Sequence, residues 1–80
     1  MNPVDLNFRH LEAFVTVARL HNFTRAAKVL HLSQPALTKQ VRRLEETLGV
    51  RLLDRNTRTV ALTPIGRELT PVVAQLLRTV

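Results

Sequence analysis

The side chains best equipped for chemistry lie between Ser33 and Arg43, in the run SQPALTKQVRR. They bring an amide, hydroxyls, an ammonium and guanidinium groups. These are hydrogen-bonding and charge-bearing groups, not a nucleophile with its base. Within HLSQPALTKQVRRLEETLG, residues 31–49, Leu37, Val41, Leu44 and Leu48 recur at helical spacing and share one face. Gln34, Thr38, Lys39, Arg42 and Arg43 fall off that face. The pattern describes a helix with an apolar back and a polar, basic front.

A helix of this kind matches the major groove of B-DNA, which is wide enough to admit one helix. Gln34 can pair with adenine N6 and N7, and Pro35 and Ala36 are short and apolar enough to meet a thymine methyl. Thr38 can reach a base or a phosphate. Lys39 and Arg42 can reach guanine acceptors or the backbone. The positive end of the helix dipole favours phosphate at this end too. Simpler readings stand beside these. Ser33 and Pro35 are helix-start residues in any case. Lys39, Arg42 and Arg43 could form a solvated face, and the two arginines could pair with Glu45 or Glu46 one turn on.

Catalysis finds little support. His10, His21 and His31 have no ligand-like spacing, and there is no cysteine to complete a metal site. The six carboxylates are scattered, and two glycines cannot build a phosphate loop. The chain therefore reads as no enzyme, with no metal and no cofactor of its own. Lack of cysteine fits a reducing cytoplasm. No apolar run approaches the roughly 20 residues of a membrane span, and MNPVDLNFRH does not resemble a secretion signal. The expected location is cytoplasmic.

Charge narrows the partner. The net charge is +6, from twelve basic and six acidic residues. Arg25, Lys28, Lys39, Arg42, Arg43, Arg51, Arg55 and Arg58, set against Glu45, Glu46 and Asp54, place +5 of it between positions 25 and 58. Such concentration points to a polyanion, nucleic acid before anionic membrane, although a solvated surface has the same composition.

The elements that must position these residues can be read from caps and periodicity. Eighty residues make one small domain. Asn7 is a good N-cap for a first helix with Leu11, Phe14, Val15 and Ala18 as its buried stripe, ending near His21–Asn22. Thr24 is taken as the N-cap of a short second helix. Ala26 and Ala27 there permit close approach, Val29 and Leu30 form the apolar side, and Leu32 plugs the following connection. Ser33 caps the third helix, with Pro35 in its first turn and Gly49 ending it. Leu53, Val60 and Leu62 flank Asn56-Thr57 as a hairpin that must pack on the helices. Its basic tip could lie in the neighbouring minor groove, with Arg58 or Arg55 meeting the potential of an A·T tract. Thr63-Pro64 starts a last helix. Ile65, Leu69, Val72, Leu76 and Val80 form a seam along it, and Pro71 is expected to kink or break it.

Two short helices joined by a tight turn, the second with a polar front, make a helix-turn-helix. FTRAAKVLHLSQPALTKQVRRLEETLGVRLLDR, followed by TVALTPIG, closely resembles the N-terminal domain of LysR-type transcriptional regulators. The likeness runs from Phe8 to about Leu77. The framework Ala26, Ala27, Leu30, Ser33–Leu37, Leu44, Glu45, Leu48, Gly49, Leu52, Leu53, Arg55, Leu62, Thr63 and Gly66 appears in order.

The resemblance implies a mostly α winged helix-turn-helix over residues 1–63, with a three-helix core and a two-stranded hairpin wing. A long linker, or dimerisation, helix follows over 64–80. It implies base contacts from Gln34, Pro35, Ala36, Thr38 and Lys39 in the major groove and from Arg58 in the minor groove. Backbone contacts are expected from Thr24, Arg25, Ser33, Arg42, Arg55, Asn56 and Thr59. Dimerisation is expected through Ile65, Leu69, Val72, Val73, Leu76, Leu77 and Val80. The implied partners are promoter DNA carrying an interrupted inverted repeat, a second copy of the chain, and a tetramer in the full-length protein. A C-terminal domain that binds a small-molecule inducer is expected beyond these residues and absent from them. Lys39 stands where arginine is common, and a point charge replaces a planar fork there. Two other readings remain at this stage: an architectural binder that uses charge alone, and an interaction module whose last helix meets a protein partner.

Overall fold

The computed structural model describes residues 7–55 and 60–79. The chain runs α1 (Phe8–Leu20), α2 (Phe23–Leu30), α3 (Gln34–Leu48), β1 (Leu53–Arg55), β2 (Val60–Leu62) and α4 (Pro64–Thr79). This is a winged helix-turn-helix followed by a long helix, the architecture expected from the sequence.

Helix α1 is the hub, packing against α2, α3 and α4. It starts where expected, with the Asn7 carboxamide accepting from the Arg9 amide. Leu11, Phe14, Val15 and Ala18 are buried, joined by Ala13 and Val17. The α1–α2 and α2–α3 turns are made by His21 and His31, both in the left-handed region at φ 52° and 58°. Each sits as a helix C-cap, donating its backbone N–H to carbonyls of the preceding turn. The end of α1 at His21 falls where the sequence placed it, but glycine or asparagine is the usual residue in that conformation, so the left-handed backbone was not readable from the histidines.

The second helix departs from expectation at its start. Asn22, not Thr24, is the N-cap: its side chain accepts from the Arg25 amide at 2.9 Å. Both are good capping types, and the asparagine lies at the position that leaves Phe23 inside the helix. Ala26 and Ala27 are buried, as close packing requires. Leu30 and Leu32 pack half-buried on the core, but Val29 is 61% exposed and forms no part of the inner side.

Ser33 caps α3, with its Oγ accepting from the Ala36 amide. Gly49 closes it at φ 71°. Leu37, Val41 and Leu44 are buried and Leu48 is half-buried. The strands pair antiparallel as Leu53–Leu62, Asp54–Ala61 and Arg55–Val60.

Helix α4 begins on the expected cap. The Thr63 Oγ accepts from the Gly66 amide at 3.0 Å and donates to the Arg51 carbonyl at 2.6 Å. The helix continues unbroken through Pro71. Arg67, whose carbonyl loses its amide partner, and Pro71 are both exposed, so water can satisfy the freed group.

Candidate nucleic-acid interface

At the α2–α3 corner, the first turns of α3 face outward. Gln34, Pro35 and Lys39 are exposed, and Ala36 and Thr38 are half-buried beside them. Spacing of four puts Gln34, Thr38 and Arg42 along one line of the helix, with Pro35 and Lys39 alongside. Arg42 and Arg43 extend the exposed side. The opposite face is sealed against α1 by Leu37, Val41 and Leu44. Cationic and amide groups are thus presented on a surface that cannot rotate away, because turning α3 would expose that core.

A side-chain bond ties the corner. Gln34 Nε2 donates to Thr24 Oγ1 at 2.8 Å. Thr24, Arg25 and Lys28 are all exposed on α2. The structure thus brings together Thr24, Arg25, Ser33, Gln34, Pro35, Ala36, Thr38, Lys39 and Arg42 on the α2–α3 unit. Asn56, Arg58, Thr59 and Val80 lie outside the described residues, and of Arg55 only the backbone is described.

Sequence reading missed the far end of α3. Glu45 entered the sequence reading, with Glu46, as a group that Arg42 and Arg43 could pair with. It is 7% exposed, and its Oε2 accepts from the amides of Leu52 at 2.8 Å and Leu53 at 3.2 Å. A buried carboxylate is tolerable only with such donors. It fastens the root of the hairpin to α3. Leu52 is held from α4 as well: its carbonyl accepts from the Thr63 amide at 3.0 Å, and any Cβ at Gly66 would overlap that carbonyl. A hollow of about 410 Å³, lined by Arg42, Glu45, Glu46, Gly49, Val50 and Arg51, opens beside this junction.

The seam on α4 splits in two. Val73 is 5% exposed within the chain's own core, and Leu69, Ala74 and Leu77 pack half-buried on it. Val73 was expected at a dimer contact, but its side chain is occupied inside the monomer. Ile65, Val72 and Leu76 point outward, the last two at 53% and 46% exposure.

The family model for bacterial regulatory helix-turn-helix proteins of the lysR family matches residues 8–67. The chain belongs to the LysR family. Its helix-turn-helix is the DNA-binding domain of that family of transcriptional regulators, a role that is not enzymatic. Among LysR-family relatives, it is 51% identical over 61 residues to the transcriptional regulator PcaQ of Agrobacterium fabrum, covering 76% of this chain and 20% of PcaQ. It is 56% identical over 61 residues to the Hca operon transcriptional activator HcaR of Escherichia coli, covering 76% of this chain and 21% of HcaR. The chain thus spans about a fifth of the length of these curated relatives. Among solved structures, the BenM_DBD complex with catB site 1 DNA superposes with a TM-score of 0.87 at 40% identity, over 92% of this chain and 83% of that one. Vibrio fischeri DarR in complex with DNA gives 0.90 at 32% identity, over 95% and 26%. No helix of the described residues is long and apolar enough to cross a membrane.

Proposed function

We propose that this LysR-family chain reads the sequence of promoter DNA as one half of a homodimer. Helix α3 enters the major groove of a half-site. Gln34, Pro35, Ala36, Thr38 and Lys39 face the base edges, while Thr24, Arg25, Ser33 and Arg42 contact the backbone. The hairpin tip, with Arg55, Asn56, Arg58 and Thr59, follows the adjacent minor groove. Residues 1–63 form the DNA-binding unit, and 64–80 link it to a second copy at an interrupted inverted repeat. Among the described residues of α4, Ile65, Val72 and Leu76 are the exposed large apolar groups that serve that pairing. Tetramers in the full-length protein, a small-molecule inducer bound outside these 80 residues, and work in the cytoplasm complete the proposal.

The observation that supports it most is the outward side of α3, where Gln34, Lys39 and Arg42 are exposed opposite the buried Leu37, Val41 and Leu44. DNA complexes of BenM_DBD and DarR with the same fold add weight. The test is fluorescence anisotropy at near-physiological salt, titrating the chain against its own upstream promoter duplex and a scrambled duplex of equal length. A preference of roughly a thousandfold is expected of a sequence reader. Equal, salt-sensitive binding to both would leave only the electrostatic term and sink the proposal.

A further inference from the structure

From the bond between α2 and α3, we propose that Thr24 is a positioning residue for Gln34, setting the direction in which its carboxamide meets the base. The inference rests on the DNA-reading role of α3 argued above. Thr24 is the second residue of α2 and Gln34 the first of α3, ten positions apart, and both are exposed. Their 2.8 Å bond is therefore not needed to shield a buried polar group.

The chemistry suits a positioning role. A glutamine side chain has several rotatable bonds, and fixing them on binding costs affinity and blurs discrimination. Here the carboxamide is already held. Its Nε2 carries two hydrogens, of which Thr24 takes one. The second hydrogen and Oε1 are the donor and acceptor that adenine N7 and N6 require. The Thr24 hydroxyl accepts from Gln34 through its oxygen and keeps its own hydrogen to donate, so the same group can also bond a phosphate. Its anchor is firm, because α2 is capped by Asn22 and seated on the core through Ala26 and Ala27. One hydroxyl thus links backbone contact to base reading.

The experiment is a double-mutant cycle read by anisotropy. One duplex is selected by the chain from a randomised library, and the other is its scrambled counterpart. Thr24→Val removes the hydroxyl while keeping the shape, and should cut the selected-over-scrambled preference about fivefold, the factor one net hydrogen bond is worth. Thr24→Ser should restore most of it. In a Gln34→Ala background, Thr24→Val should remove no further preference. Equal weakening on both duplexes would reduce Thr24 to a phosphate contact and overturn the inference. So would a loss of preference that persists without Gln34. A chain that loses preference with Gln34→Ala but keeps it with Thr24→Val overturns this inference alone. A wild-type chain with no preference overturns it together with the function proposed above.

Discussion

Helices α3 and α4 are both amphipathic and both lie against α1, yet their outer faces differ in kind. The outer face of α3 is glutamine, proline, lysine and arginine, and that of α4 includes isoleucine, valine and leucine. A polar outer face needs no partner in water. Large apolar side chains exposed along one helix suit a surface that is covered in the working assembly. The two helices share a support in α1 and differ in what they leave outside.

The contrast can be tested by truncating one leucine on each helix. Leu37→Ala, at a fully buried position in α3, should cost about 2–5 kcal/mol in denaturant unfolding. Leu76→Ala on the outer stripe of α4 should stay within about 0.5 kcal/mol for the monomer. Its effect belongs in sedimentation, as weaker self-association. A large monomer destabilisation from Leu76→Ala would erase the distinction between the two helices.

Next in size is the far end of α3. Glu45→Ala leaves the Leu52 and Leu53 amides without their acceptor and should destabilise by about 1–3 kcal/mol for each amide left unsatisfied. Hydrogen exchange at those two amides locates the damage. Unchanged protection there would show that the carboxylate is dispensable to the junction.

The smallest effect sharpens the account of α2. Asn22→Ala should cost about 1 kcal/mol as a lost N-cap. Thr24→Val, which removes no cap, should leave the melting temperature nearly unchanged. The reverse ranking in a thermal melt would return the cap to Thr24.

Local features of this fold were legible in the sequence. Asn7, Ser33 and Thr63 each bond an amide two or three residues on, and such a cap is written within one turn. The buried faces of α1 and α3 followed from spacing because their other faces are polar. Legibility failed where two answers were locally equivalent or where the partner was distant. Asn22 and Thr24 are both capping types two positions apart. Apolar residues on several sides of α4 left periodicity unable to assign Val73 inward and Val72 outward. Glu45 meets amides seven and eight residues away, a contact fixed only once the chain has turned at Gly49. In the candidate interface, the residue types at 34–39 were readable, but the Thr24–Gln34 bond was not. It depends on the left-handed turn at His31, a residue not usual in that conformation.

Helix α3 is also divided along its length. The residues proposed to read bases occupy its first two turns, and the Glu45 anchor sits near its last. Exchanging the early positions leaves Leu44, Glu45 and the junction with Leu52 untouched. With the buried Leu37 kept, substitutions at 34–36, 38 and 39 change the proposed reading face without renegotiating the fold, and an engineer could graft those positions from a relative while leaving the rest of the helix in place. Only Thr24, bonded across the corner, would need to travel with them.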